Sequence, residues 1–430
     1  MALHRRRLLA AAGSAGAGVV GVGYWQRRRL RRFPSIRELK AVSGIAVPRI
    51  EEDPIITQAL LEASYERTVD RFDEIEARLE PPYDRYTEEF IETLRTRLID
   101  SAPETVTVRS RGVPAMHYAR RQTLFTYRRI RSRVVEILAH ESPGELPTET
   151  FTERASALDD RIDDVSVPYR GVNLGEAIVA GSTIESTIDS AENRVEKARD
   201  ETERRVRWRE LERATAAVED AESFAVAKTG TDHRAEFPEI ADRLVAEYER
   251  RREAAPDPHA APDFEEATST FASRGIGLLR RPMGQLGASP WSASRLPEED
   301  AGRAAHTHAL LLSTVPLYEA FSDVPNPVWW EEIDYELGAG PDDLREEKRA
   351  TIDAAGLYLD RDDPLVRHLA AVPLGLVRAT DSRVDSLVED ANTLEDAEWT
   401  TQLDYAMLLY RSARRYAEEI GDAVAVVDDT

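Results

Sequence analysis

The sequence predicts an all-α fold: helical bundles or stacked helical hairpins with one long coiled-coil-like helix, preceded by a single N-terminal membrane helix. Three observations predict it. Apolar residues recur at three- and four-residue spacing through most of the chain after residue 53. Leu174–Ala227 keeps that spacing longest, and Leu8–Gln26 carries no charge. A chain of 430 residues exceeds one ordinary core, so several domains are expected.

The uncharged segment Leu8–Gln26 is predicted to be a membrane anchor within residues 1–32. As a helix it would span ~28 Å, close to the apolar thickness of a bilayer. The predicted anchor residues are Leu8, Leu9, Val19, Val20, Val22, Tyr24 and Trp25, and the flanking charges are Arg5, Arg6, Arg7, Arg27, Arg28, Arg29, Arg31 and Arg32. The stronger basic flank follows the segment, so the positive-inside rule favours a cytoplasmic body.

The first residues also carry a second interpretation. Arg5-Arg6-Arg7-Leu8-Leu9 resembles the twin-arginine export signal, in which two arginines precede a variable residue and two apolar ones. The resemblance covers about 25 residues and implies export, but it gives no information about the rest of the chain. Ala15-Gly16-Ala17 is the one small-residue cleavage site, and the arginines after residue 26 oppose translocation. An uncleaved anchor remains the favoured interpretation.

The charge is divided between a basic head and an acidic body. Residues 1–40 hold ten cationic side chains and one acidic one, a charge of +9. Since the whole chain carries −23, the remaining residues carry −32. The lysines are only Lys40, Lys197, Lys228 and Lys348. Acidic excess with scarce lysine resembles the proteins of haloarchaea that accumulate salt, where a Debye length of ~3 Å makes such self-repulsion tolerable. An acidic bacterial protein from a GC-rich genome is the alternative.

Residues 33–52 are predicted to be a connector interrupted by Pro34 and Pro48, and 53–170 an N-terminal helical domain. Asp53-Pro54 is predicted to cap the first helix of that domain. Residues 106–108 (Val-Thr-Val) are predicted to be extended. The predicted helices of this domain run from Pro54 to Glu80, from Asp84 to Asp100, from Tyr118 to His140 and from Glu149 to Val165.

Residues 171–255 are predicted to form the long helix and a return helix. If continuous, the run Leu174–Ala227 would span ~80 Å. We expect the helix at Phe237–Ala254 to fold back on it after Thr229-Gly230, and the alternative is self-association of the long helix as an oligomeric coiled coil. Residues 263–430 are predicted to be a C-terminal helical domain, with helices at Arg303–Phe321, Pro341–Leu359, Pro364–Asn392 and Ala397–Val424.

Four groups of residues resemble metal-binding or interaction sites. Asp159-Asp160-Arg161-Ile162-Asp163-Asp164 resembles the aspartate-rich magnesium motif of all-α prenyl-chain enzymes, but no second motif accompanies it, so a solvated acidic face is favoured. Asp360–Pro364 is better explained as a helix cap than as a calcium loop. His306 and His308 are spaced to point apart on a helix. Trp329-Trp330 is better explained as a core plug than as an interaction patch.

Six arginines between Arg120 and Arg133 suggest phosphate contact, yet a body of this negative charge disfavours nucleic acid as a partner. An acidic neighbouring helix is the favoured partner of these arginines. Because the chain has no cysteine, thiolate chemistry and cysteine-based metal sites are excluded. No phosphate-binding loop, dinucleotide glycine pattern or Gly-x-Ser-x-Gly occurs.

The sequence therefore favours a membrane-tethered, non-catalytic helical scaffold or interaction protein of a halophilic archaeon, with no cofactor and no metal. Its expected partners are the lipid bilayer and a protein bound through the long helix. The alternatives are a magnesium-dependent helical enzyme acting on a pyrophosphate or isoprenoid substrate through Asp159, Asp160 and Asp163, and an exported binding protein.

Overall fold

The computed structural model describes residues 32–48, 55–79, 85–103, 119–254, 303–304, 307, 339–391 and 393–428. The all-α prediction is confirmed, since nearly all of these residues lie in helices. The predicted membrane segment, the extended piece at 106–108, the histidine pair and the tryptophan pair lie outside the described residues. So does most of the helix predicted at Arg303–Phe321.

The N-terminal bundle follows the predicted helices closely. Its first helix begins at Gln58, four residues after the predicted start, because the Thr57 hydroxyl accepts a hydrogen bond from Leu60 N (3.3 Å) and caps it there. Helix α1 (residues 32–43) precedes this bundle and is described below. The helices of the bundle are α2 (Gln58–Arg78), α3 (Arg85–Asp100), α4 (Ala119–Glu141), α5 (Thr148–Asp164), α6 (Leu174–Asp200) and α7 (Arg204–Ala227). Helices α2, α4, α7 and α6 pack side by side in that order.

The prediction of one long helix at 174–227 is wrong, because the run is broken at residues 201–203 and folds into the antiparallel hairpin α6–α7. The Glu201 carboxylate accepts hydrogen bonds from Thr202 N and Glu203 N (2.9 and 3.1 Å), which favours a turn over another helical residue. Alanines along the facing sides allow close packing: Ala177, Ala180, Ala191, Ala198, Ala214, Ala217 and Ala221 are all buried. The apolar stripe of α6 is thus covered within the chain.

A two-residue antiparallel bridge closes the open end of this hairpin. β1 (Arg170–Gly171) pairs with β2 (Thr231–Asp232), with Gly171 opposite Thr231. Gly230 has φ +112°, and a Cβ there would lie 2.4 Å from the Gly171 carbonyl oxygen. Only glycine can adopt this backbone conformation and lie this close to the Gly171 backbone. Lys228 and Glu176 add an ion pair of 3.0 Å beside the bridge.

The C-terminal helices form a second bundle. They are α8 (Phe237–Ala254), α9 (Pro341–Leu359), α10 (Pro364–Glu389), α11 (Asp396–Glu418) and α12 (Ile420–Asp428). Helices α9, α10 and α11 pack on one another. The predicted return helix has the predicted bounds, but it packs against α12, because α7 already occupies the face of α6. Asp363 caps α10 by accepting from Leu365 N (2.7 Å), as predicted.

Helix α1 lies inside the predicted connector 33–52. Its Leu39 and Val42 are completely buried, and the chain after it is held by a hydrogen bond from Arg378 to the Pro48 carbonyl oxygen. The spacing of Ile36, Leu39 and Val42 forms a short apolar stripe, which is only three turns long. A helix so short is marginal alone and depends on the bundle that covers it.

The two bundles meet where the first turns of α6 and α10 touch. A Cβ on Gly175 would lie 2.6 Å from Leu365 Cβ, so glycine allows this close approach. The Asn173 side-chain amide donates to Asp363 (3.3 Å), which links the two capping residues. Most of the buried apolar residues of both bundles form one continuous cluster, and a second small cluster lies within the C-terminal bundle. The described helices therefore share a core across this junction.

Candidate functional site

Arg32 fastens the beginning of α1 to the C-terminal bundle. Its guanidinium donates to the carbonyl oxygens of Ala391 (2.7 Å) and Leu394 (3.1 Å), pairs with Asp396, and lies 4.8 Å from the Trp399 ring centroid. Those carbonyls follow the end of α10, where backbone acceptors lack helical partners. The sequence predicts that Arg32 is one of the charges flanking the membrane segment. Because Arg32 is only 7% exposed, its guanidinium group binds residues of the C-terminal bundle instead.

Lys348 fastens the other end of α1. This completely buried lysine of α9 donates to the carbonyl oxygens of Val42 (2.8 Å) and Ser43 (3.3 Å), the last residues of α1. Its third partner is the Asp381 carboxylate of α10, at 2.8 Å. An ammonium group has three donors, so each of them is used. Arg32, Lys348 and these partners are called the α1 clamp below.

Burial shifts the pKa values of Lys348 and of its partner Asp381. Tyr410 of α11 donates to Asp381 (2.6 Å), so one carboxylate joins three helices. Burial raises the pKa of Asp381 to about 6, although Lys348 and Tyr410 both lower it. Burial lowers the pKa of Lys348, opposed by Asp381. Groups with shifted pKa values often mark active sites. Here, however, Lys348, Asp381 and Tyr410 contact one another or the backbone of α1, and the Asp381 side chain is only 15% exposed.

The aspartates of the predicted magnesium motif do not meet at a cavity. Asp160, Asp163 and Asp164 are exposed, and Asp159 pairs with Arg199 of α6. In the part of the chain that the structure describes, no group of three or more His, Cys, Asp and Glu side chains is arranged to hold a metal ion. Three of the four carboxylates lie at the surface, which agrees with the solvated acidic face favoured from the sequence.

Two of the six α4 arginines, Arg128 and Arg131, pair with an acidic helix as predicted. Arg131 forms hydrogen bonds with Glu212 (2.8 and 3.0 Å) and with Glu219 (2.5 Å), both on α7. Arg128 donates to Asp220 of α7 at 2.7 Å. Arg131 and Glu212 are each under 10% exposed. These guanidinium groups therefore hold α4 to α7 rather than forming an open basic surface.

A cleft of about 490 Å³ lies beside this network. Its walls are α2 and α5, and its floor is α7 with Arg131 of α4. Five arginines line it, namely Arg67, Arg71, Arg131, Arg154 and Arg161, which gives the name arginine cleft. Four carboxylates also line it, namely Asp70, Glu74, Glu212 and Glu219. The cleft is thus slightly positive on a body whose acidic side chains greatly outnumber the basic ones.

Arg154 differs from the other arginines of the arginine cleft. Arg67, Arg71, Arg131 and Arg161 each form an ion pair with a carboxylate. Arg154 has no carboxylate within ion-pair distance among the described residues, and its guanidinium lies 5.6 Å from the Trp208 ring centroid. Desolvation lowers the pKa of Arg154, and the positive charge of Arg71 lowers it further. The negative charges of Glu212 and Glu74 oppose this shift, but neither carboxylate is within ion-pair distance of Arg154.

Sequence reasoning missed Lys348, Asp381, Tyr410 and Arg154. The rarity of lysine was a usable signal for Lys348, since four lysines stand among 57 basic residues and this one occurs in a helix with a regular apolar stripe. Nothing comparable distinguishes Arg154, because its isolation depends on which helices lie opposite it.

The comparisons with known proteins give one match. A family model described as a domain of unknown function (DUF8264) matches residues 234–429, less than half of the chain. The matched region begins just before α8 and contains α9, α10, α11 and α12. It therefore includes Lys348, Asp381 and Tyr410, whereas α1 and the arginine cleft lie before it. No curated protein and no solved structure matches the chain.

Proposed function

We propose that the protein is a membrane-tethered, non-catalytic helical scaffold adapted to concentrated salt, with residues 8–26 as its anchor. The observation that carries this proposal is the α1 clamp, because it begins at the residue where the basic flank ends. Only six backbone steps separate Gln26 from Arg32, at most about 20 Å of extended chain. The bundle surface near Asp396 and Trp399 would thus stay close to the bilayer that holds residues 8–26.

The absence of slack distinguishes a scaffold from a loosely tethered domain. A flexible linker would let the body turn freely relative to its anchor. Here α1 is fixed at its first residue by Arg32 and at its last turn by Lys348. The distance between the body and the bilayer would consequently be limited to about 20 Å. Of the described helices, none is long and apolar enough to cross a bilayer, so the tether proposal rests on residues 8–26.

The non-catalytic part of the proposal is supported by where the perturbed groups lie. Lys348, Asp381 and Tyr410 contact one another or backbone carbonyls in the bundle interior. The salt part is supported by ion pairs that are buried, such as Arg131 with Glu212. Buried pairs are screened much less than exposed ones, so they persist in molar salt.

Membrane fractionation tests the tether. The full chain is produced in a host with molar internal potassium chloride, beside a variant that lacks residues 8–26. We expect the full chain in the membrane pellet, released by detergent but not by salt or alkaline washing, and the shortened variant in the supernatant with unchanged helical circular dichroism. A full chain with an intact N-terminus, shown by mass spectrometry, that stays in the supernatant would refute the proposal.

A further inference from the structure

We propose that the arginine cleft binds a small oxyanion, a phosphate or carboxylate group, through Arg154. This proposal is independent of the membrane tether, because the cleft lies in the N-terminal bundle and uses none of the α1 clamp. The cleft volume of about 490 Å³ falls within the usual range for small-molecule pockets. The occupant is thus the size of a metabolite rather than of a helix.

The choice of an anion follows from the number of donors in the cleft. Glu212 is shared between Arg71 and Arg131, and Glu219 between Arg131 and Arg67. The Nε atom of Arg67 is buried without a hydrogen-bond partner, at 3.7 Å from Glu219. The Nε atom of Arg67 and the guanidinium group of Arg154 thus have no carboxylate within hydrogen-bond distance among the described residues. An added oxyanion would supply the missing acceptors.

The position of Arg154 makes it the contact residue. Its neighbours Arg71 and Arg78 are held by Glu74, Glu145 and Glu212, so they cannot turn toward a ligand without losing those pairs. Arg154 has no such pair among the described residues, and the Trp208 ring positions its guanidinium at the cleft. The planar fork of arginine matches the two oxygens of a carboxylate or phosphate. The apolar Ala157 and Leu158 on the same wall would meet the rest of the ligand.

Asp70 opposes this binding and provides a second, independent test. It lines the cleft and is exposed, and among the described residues it has no hydrogen-bond donor as a partner. Its charge repels an oxyanion at short distance, so removing that charge should strengthen binding. A purely structural cluster of ion pairs would show no such response, because Asp70 holds nothing in place.

The experiment is isothermal titration of the full chain with pyrophosphate and with citrate. It is run at the lowest potassium chloride concentration at which circular dichroism shows the protein folded, because chloride competes for arginine. We compare the wild type with Arg154→Gln, Asp70→Asn and the control Arg349→Gln. Arg349 is an exposed arginine of α9 without a carboxylate partner among the described residues.

We expect one or both probes to bind the wild type. Arg154→Gln should weaken that binding about tenfold or more, Asp70→Asn should strengthen it, and Arg349→Gln should leave it unchanged. Binding of pyrophosphate alone would assign a phosphate ligand, and binding of citrate alone a carboxylate ligand. The proposal is overturned if neither probe binds at millimolar concentration, or if Arg154→Gln binds as well as the wild type.

Discussion

Replacing Lys348 with methionine is expected to lower the free energy of unfolding by about 3–5 kcal/mol, the cost of removing one partner from a buried ion pair. The substitution keeps an unbranched side chain of similar length but leaves Asp381 buried without its counter-charge. It also leaves the carbonyl oxygens of Val42 and Ser43 without the donor they now share. Urea unfolding at a fixed molar concentration of potassium chloride measures the difference.

Lys197→Met is the matched control for this substitution. Lys197 of α6 is 59% exposed, and its nearest carboxylate, Glu210, lies 3.9 Å away. Exposed pairs of this kind contribute little, so we expect a change within about 0.5 kcal/mol. An equally small loss of unfolding free energy for Lys348→Met would contradict the claim that the α1 clamp stabilises the fold. The double variant Lys348→Met with Asp381→Asn should lose less than the two single losses combined, because the partners are coupled.

Replacing Arg131 with methionine is expected to have the second large effect, also about 3–5 kcal/mol. Arg131 is 6% exposed and forms hydrogen bonds with both Glu212 and Glu219. Without it, Glu219 keeps only the contact with Arg67 at 3.7 Å, and two partly buried carboxylates face each other across the floor of the cleft. Arg131→Lys should restore only part of the loss, because one ammonium group cannot reproduce the forked contact.

The control for Arg131 is the pair formed by Arg161 and Glu222. It has the same chemistry, with two hydrogen bonds of 2.8 and 3.2 Å, but both side chains are about 40% exposed. Arg161→Met should cost less than about 1 kcal/mol, and less still as salt rises. Equal losses for the two substitutions would show that burial of the α4–α7 network is not what stabilises the bundle.

Local patterns in the sequence predicted most helices because the signals that define them are local. Pro341 and Pro364 begin helices at the residues expected, since proline suits the first turn and the preceding Asp363 side chain caps α10. The pairing of the α4 arginines with an acidic helix was also predictable, since a body rich in carboxylates leaves few basic side chains unpaired. The acid-rich composition itself provided that inference.

Features that depend on distant contacts could not be predicted in the same way. The break at residues 201–203 interrupts an otherwise helical pattern without proline or glycine, and it is stabilised by the packing of α6 on α7. Helix α1 is short and contains Pro34 in its first turn, so it depends on contacts with distant residues such as Lys348, more than 300 positions away in the chain. The arginine cleft exists only because residues of α2, α5 and α7, which are distant in the chain, line one cavity.

Hydrogen exchange of the α1 backbone amides tests the central claim most directly. The claim is that residues 32–43 are clamped onto the C-terminal bundle and so join the body firmly to the preceding segment. In molar potassium chloride, we predict that the amides of the last two turns of α1 exchange as slowly as those of α9 and α10, and that Lys348→Met speeds them selectively. Exchange at the rate of exposed, unstructured chain in the wild type would contradict the account.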